Sequence, residues 1–146
     1  HNKSGYIKHD LYGKTKCECG FYSAKYGHLD CFEYALENCY IDTAISAEAA
    51  RGGHLNCLKI IPHEQFDIRS IIQAATNGHT ECIKYIFSIT NLYAPLLSVF
   101  CAARKKQYKC LKYLCKHGAP INDSVLKAAK EGGDEKCIQY IEKLLN

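Results

Sequence analysis

The chain of 146 residues lacks the features of a membrane-spanning protein. No apolar run reaches the ~18 to 20 residues that a spanning helix needs. The longest run, near residues 92–103, is interrupted by Pro95 and Ser98. The N-terminus does not show the basic, apolar and small-residue succession of a secretory signal. Methionine is absent, so we expect a fragment or a processed chain.

Motifs for catalysis and cofactor binding are also missing. Gly52-Gly53 and Gly132-Gly133 lack the surrounding residues of a nucleotide-binding loop, and no pair of carboxylates stands apart from the other surface charges. A histidine precedes Cys57 and Cys82 by three residues, as a nucleophile and its base could. The same pairing occurs in three places, however, and a catalytic site is not repeated in this way. We predict no enzyme activity and no cofactor.

What the sequence does contain is a repeat. Five cysteines recur at intervals of 26, 25, 28 and 27 residues. They are Cys31, Cys57, Cys82, Cys110 and Cys137. A period in this range is typical of proteins built from stacked repeats, in which each unit contacts only its neighbours.

Each of these cysteines lies in the same local pattern. A pair of small residues precedes it by seven or eight positions, and a glycine precedes it by four. The pairs are Ser23-Ala24, Ala49-Ala50, Ala74-Ala75, Ala102-Ala103 and Ala128-Ala129, and the glycines are Gly27, Gly53, Gly78 and Gly133, with Lys106 in the fourth unit. Apolar residues follow the cysteine at helical spacing. Because glycine commonly ends a helix in the left-handed conformation, each unit is predicted to be two short helices, the second of about nine residues.

The placement of the cysteines argues against a disulfide framework. Equivalent positions on stacked helices are ~8–10 Å apart, whereas a disulfide requires Cα atoms within about 7 Å. We therefore interpret the five as small buried hydrophobes in a reducing compartment. A metal site is not predicted, although Cys17 and Cys19 with His1 or His9 remain an alternative. His28, His54 and His79 are expected to cap or brace the turn between two helices.

Positive charge is concentrated in the last third of the chain. Residues 101–146 carry a net charge of +5 and residues 1–100 a net charge of −1. Six of the basic residues lie within thirteen positions: Arg104, Lys105, Lys106, Lys109, Lys112 and Lys116. Such a patch favours an acidic partner, and a solvated helix face is the alternative. Tyr108 and Tyr113 lie between these lysines, which leaves nucleic-acid binding as a third, less favoured interpretation.

These patterns resemble the ankyrin repeat. The segments at residues 50–59 and 75–84 are similar to that family's Ala-x-x-Gly-His-Leu core, and residues 114–122 are similar to its Leu-x-x-x-Gly-Ala-x-x-Asn close. The Thr-Pro-Leu-His start is missing, and the period of 25–28 is shorter than 33. The cysteine-bearing variant is similar to divergent arrays in large DNA viruses and some protists. The fourth unit, with Lys106-Gln107 in place of Gly-His, is expected to have a distorted turn.

The resemblance implies an all-α solenoid of about five helix-turn-helix repeats with shortened hairpin loops. We expect residues 1–17 to be a cap or tail and residues 18–146 to be the repeat domain. The units are predicted at about 18–42, 43–67, 68–93, 94–121 and 122–146.

The resemblance also implies a non-catalytic module that binds a partner protein through its concave first-helix face. The expected contact residues flank the small pairs: Tyr22, Lys25, Glu48, Arg51, Gln73, Thr76, Arg104, Lys105, Lys127 and Lys130. The partner is expected to present an acidic surface. A structural role in a larger assembly, such as a virus particle, is the alternative, and nucleic-acid binding is less favoured. The expected location is the cytoplasm or nucleus, with the virion as the alternative.

Overall fold

The protein is described by a computed structural model, which covers residues 8–9, 15–16, 18–40 and 44–146. These residues form ten α-helices in five consecutive pairs. The helices are α1 (Glu18–Tyr26), α2 (Leu29–Asn38), α3 (Ile45–Gly52), α4 (Leu55–Leu58), α5 (Ile68–Thr76), α6 (Thr80–Ile89), α7 (Leu96–Arg104), α8 (Tyr108–Lys116), α9 (Asp123–Gly132) and α10 (Glu135–Leu145). A 3-10 turn at His63–Gln65 precedes α5.

The ten helices form two stacked layers. The first helices of the pairs (α1, α3, α5, α7 and α9) contact one another in chain order, and the second helices (α2, α4, α6, α8 and α10) do the same. Each helix is also packed against its own partner. This arrangement is a helical solenoid, which confirms the predicted all-α class.

Three very short strands also occur, which the sequence did not predict. They are β1 (Lys8–His9), β2 (Thr15–Lys16) and β3 (Cys39–Tyr40). Strand β2 lies in the middle, antiparallel to β1 and parallel to β3. Residues 1–17 were predicted to be a cap or tail. Apart from β1 and β2, these residues lie outside the part of the chain that the structure describes.

The small pairs lie where the first helices approach one another. Ser23 is 3 % exposed, and the nine alanines of the pairs are fully buried. Nine of these ten side chains are single methyl groups, so neighbouring first helices can pack closely. The pairs therefore set the spacing of the stack.

The turn between the two helices of a pair contains a left-handed residue in all five units. The predicted left-handed conformation is confirmed for Gly27, Gly53, Gly78 and Gly133, whose φ angles lie between 74° and 80°. The prediction of a distorted fourth turn was wrong, since Lys106 takes the same conformation with φ 62°. The amide of Gln107 donates to the Ala102 carbonyl at 2.8 Å, as the amide of His79 does to Ala74 at 2.9 Å. We call the side of the solenoid that carries these five turns the turn edge.

The second helix of the second unit is shorter than predicted. Helix α4 ends at Leu58, and the amides of Ile60 and Ile61 donate to carbonyls three residues back. Pro62 favours an early end, because it has no N–H to donate to the Leu58 carbonyl and it disfavours the α conformation at Ile61. Ile61 is nevertheless only 2 % exposed, so the tightened turn still delivers the apolar residue to the core.

The repeat cysteines are buried, with one exception. Cys57, Cys82, Cys110 and Cys137 are at most 2 % exposed, whereas Cys31 is partly exposed. The Cys110 sulfur lies 3.2 Å from the Thr80 hydroxyl, so the thiol faces the preceding unit. In the part of the chain that the structure describes, no helix pair precedes the unit of Cys31. The prediction of a buried thiol was therefore wrong for that unit.

Candidate protein-binding surface

Nine of the ten predicted contact residues lie on one face of the first helices. The positions just before and just after each small pair are three residues apart, so their side chains are neighbours on a helix surface. We call these two columns the first-helix rows. One row is Tyr22, Glu48, Gln73, Cys101 and Lys127, and the other is Lys25, Arg51, Thr76, Arg104 and Lys130. Lys105, the tenth predicted residue, follows Arg104 at the end of α7.

None of the ten predicted residues is buried. Six are exposed: Tyr22, Arg51, Arg104, Lys105, Lys127 and Lys130. Lys25, Glu48, Gln73 and Thr76 are half-buried. The structure thus brings nine of them together as two rows next to the buried small pairs, and their role in binding stays a prediction.

The charge in these positions is mostly positive and largely unpaired. Of the ten residues, six are basic and one, Glu48, is acidic. Within the described ranges, salt bridges join only Arg69 to Asp67 and Lys84 to Glu81, so the six basic residues have no carboxylate partner there. One oxygen of Glu48, Oε2, is buried and accepts no hydrogen bond from the described residues. The exposed basic side chains are therefore available to a second molecule.

The rows are held in place by side chains that reach from one unit to the preceding unit. The ring nitrogen Nε2 of His54 is 2.9 Å from the Lys25 carbonyl oxygen, and Nε2 of His79 is 3.1 Å from that of Arg51. One expectation was that these histidines cap their own helices, but their side chains form no such cap. They brace the end of the neighbouring first helix instead, and so fix the second row from one unit to the next.

Gln107 makes the corresponding contact in the fourth unit. Its amide nitrogen donates to the Thr76 carbonyl at 3.4 Å, and its side chain lies against Gly78. The missing histidine is therefore replaced by a side chain of similar reach. Sequence analysis missed this pairing because it compares positions within one unit, whereas the contact joins a residue to the glycine of the unit before.

The buried thiols are not prepared for nucleophilic chemistry. Burial raises the pKa of Cys82 to about 11, with Cys110 and Glu81 adding to the shift. Burial, with the contact to Asp134, raises the pKa of Cys137 to about 12. Since the thiolate is the reactive form, both groups stay protonated and unreactive near neutral pH.

The predicted absence of disulfides among the repeat cysteines is confirmed, because Cys31, Cys57, Cys82, Cys110 and Cys137 are all free thiols. Cys19 differs, since it is disulfide-bonded. No cluster of three His, Cys, Asp or Glu side chains that could hold a metal occurs in the described ranges. The alternative metal site at Cys17 and Cys19 with His1 or His9 falls mainly outside them.

The tyrosines of the basic segment are engaged with other rings. Tyr113 stacks on Phe87 at 6.2 Å between centroids and contacts His117 at 4.0 Å. Tyr108 meets Tyr140 edge to face at 5.9 Å. Neither is a free platform for a nucleobase, which weakens the nucleic-acid interpretation.

The comparison with protein families decides the classification. A model of ankyrin repeats, in three copies, matches residues 48–125, which is more than half of the chain. The chain belongs to the ankyrin repeat family. Ankyrin repeats generally serve as protein-interaction modules, and this array fits that use because its stacked units present an extended surface. No curated protein matches the chain. The described part of the array contains no helix with both the length and the apolar character to cross a bilayer.

Proposed function

We propose that this ankyrin array is a non-catalytic module that binds an acidic partner protein through its first-helix rows. The observation that carries the proposal is a contrast between framework and surface. The small pairs are buried and each of the five turns contains a left-handed residue, whereas the row residues change from tyrosine to glutamate to lysine. A constant scaffold that carries changing, accessible side chains is the arrangement that recognition of a particular partner requires.

The charge of the rows supports an acidic partner. Six basic residues against one acidic residue give a positive face, and the described residues do not neutralise it. Complementary charge raises association rates and excludes partners of like charge.

The test is a capture experiment from the native source with charge-reversal variants. Arg51→Glu and Arg104→Glu should each weaken capture by roughly tenfold or more, because placing like charges opposite each other costs several kcal/mol. The matched controls are Lys59→Glu and Lys116→Glu, which make the same charge change at exposed positions outside the rows.

Circular dichroism should show the same helicity for all four variants. If the controls and the row variants lose the partner equally, the rows are not the interface. Capture of nucleic acid, or recovery in a fixed stoichiometry that no row variant alters, would favour the nucleic-acid or structural role instead.

A further inference from the structure

A groove on the turn edge lies between the fourth and fifth units. It has a volume of about 320 Å³ and opens between the beginnings of α8 and α10. Its lining includes three lysines, Lys106, Lys109 and Lys136, together with Gln107, Tyr108 and Asp134. We call it the cationic groove. It lies on the turn edge, whereas the first-helix rows lie along the faces of the first helices.

A short brace leaves room for a side chain at position 106 beside this groove. A Cβ added at Gly53 would stand 2.5 Å from the ring of His79, so the brace of the following unit fills the space over that glycine. Asp134 occupies the brace position of the fifth unit, and its carboxylate turns back to accept from the Cys137 amide at 3.4 Å. The space over the fourth turn is therefore left open, and a side chain at Lys106 fits there.

The charge of the groove is specific to its position in the array. The residue just before the repeat cysteine is, in order, Asp30, Asn56, Glu81, Lys109 and Lys136. This column changes from acidic or neutral to basic at the fourth unit. The equivalent groove at the second unit, of about 290 Å³, is lined by Leu29, Leu55 and Asn56 and by no lysine. The fold alone thus produces the groove, and the sequence of the last two units makes it cationic.

Nearby carboxylates do not neutralise the three ammonium groups. None of Lys106, Lys109 and Lys136 forms a salt bridge with any residue in the described ranges. Asp134 keeps its negative charge while it accepts from the Cys137 amide, so three lysines and one carboxylate leave the lining with a net positive charge.

Lys106 is also the only described residue other than glycine with a positive φ angle. Left-handed backbone is unfavourable for lysine and costs glycine little. Strain of this kind is found preferentially at functional sites. The strained residue here is the one that adds a third cation to the groove.

We infer that the cationic groove binds a short acidic segment of a partner protein, with Asp or Glu side chains contacting Lys106, Lys109 and Lys136. This site is separate from the first-helix rows, so it does not depend on the function proposed above. A protein segment is favoured over nucleic acid because only one aromatic residue, Tyr108, lines the groove, and its ring already meets Tyr140 edge to face. Single-strand binding relies on successive bases stacking on aromatic side chains, and a single ring offers little of this.

The test measures the affinity of the whole chain for a fluorescein-labelled hexaglutamate peptide by fluorescence anisotropy. The groove variant combines Lys106→Gly, Lys109→Gln and Lys136→Gln. Glycine is used at Lys106 because it relieves the backbone strain, and circular dichroism of the groove variant should show the helicity of the wild-type chain, which excludes unfolding as the cause of a loss of binding. The matched control combines Lys59→Gln, Lys116→Gln and Lys143→Gln, which changes net charge equally at exposed positions away from the groove.

The groove variant should weaken peptide binding by roughly tenfold, since each of three exposed charge pairs contributes modestly, and the control by less than about twofold. Binding by the wild-type chain should also fall at higher ionic strength. Equal loss in both triple variants, or no measurable binding by the wild-type chain, would overturn the inference. Tighter binding of an oligothymidylate that the groove variant abolishes would reassign the groove to nucleic acid. Arg51→Glu should leave peptide affinity unchanged, which separates this test from that of the first-helix rows.

Discussion

Alanine at Gly53 is expected to destabilise the array by about 2–5 kcal/mol, because two effects add at this turn. The first is the backbone: φ of Gly53 is 74°, and an L-residue there costs ~1–2 kcal/mol. Alanine also reduces the conformational entropy of the unfolded chain, which offsets roughly 0.4–1 kcal/mol of this cost. The second is the brace from the following unit. The new Cβ would stand 2.5 Å from the Cε1 and Nδ1 atoms of His79, so the ring must move.

Movement of the ring has its own cost, which can be estimated. The contact between Nε2 of His79 and the Arg51 carbonyl, now 3.1 Å, would be lost at ~0.5–1.5 kcal/mol. Local overpacking adds ~1–3 kcal/mol. The change in backbone strain alone is about 1 kcal/mol, so most of the predicted effect comes from the neighbouring unit.

A double-mutant cycle isolates that contribution. Urea unfolding of the wild-type chain, Gly53→Ala, His79→Ala and the double variant would be followed by far-ultraviolet circular dichroism. In the His79→Ala background, Gly53→Ala should lower the free energy of unfolding by only about 1 kcal/mol, because only the backbone strain at residue 53 then opposes the substitution. Gly133→Ala provides a second comparison, since φ is 80° there and no atom lies within 4 Å of an added Cβ. Effects at Gly53 and His79 that add within about 0.5 kcal/mol would refute the brace between units.

Two further predictions concern the buried thiols. Cys82→Ser should lower the free energy of unfolding by ~1–3 kcal/mol, because it places a hydroxyl in an apolar site. Cys31→Ser, at a partly exposed position, should change it by less than about 0.5 kcal/mol, and similar losses for the two variants in urea titrations would contradict the burial difference. The stability of the wild-type chain should also fall as the pH rises from about 9 towards 12, since the Cys137 thiol ionises in the unfolded chain near 9.0 but has a pKa of about 12 when folded. Cys137→Ala should lose less stability over the same interval, and identical pH profiles for the two proteins would show that this thiol does not contribute.

The helical repeat could be predicted because its signals are local. The spacing of the apolar residues around each cysteine, and the glycines that end the first helices, depend on contacts within one unit. The turn residues Gly27, Gly53, Gly78 and Gly133 were identified in this way, and their left-handed conformation is confirmed. Asp134 also carries a local signal, because aspartate is a preferred N-cap residue, and its carboxylate does accept from the Cys137 amide. Pro62 also carries a local signal, and the early end of α4 could have been predicted from it.

Contacts between units were not predictable from one unit at a time. The regular turn at Lys106, the partial exposure of Cys31 and the bracing role of His54 each depend on what the adjacent unit provides. A signal for the braces exists in the sequence. Each turn glycine is matched by a long side chain just after the turn residue of the next unit. The matched pairs are Gly27 with His54, Gly53 with His79 and Gly78 with Gln107, whereas Lys106 is matched by the shorter Asp134. Only the stacked arrangement shows that these two positions touch.

The sequence by itself determined the number of repeats, the helical pairing and the family, because periodic apolar burial and glycine turns leave the backbone few alternatives. The tertiary structure decided how the units lock together and which charges gather in one place. Lys106, Lys109 and Lys136 are up to thirty residues apart in the chain, and they line one groove because α8 and α10 begin side by side. The physical reason is that side-chain charge acts through space, whereas helix formation is governed by neighbours along the chain.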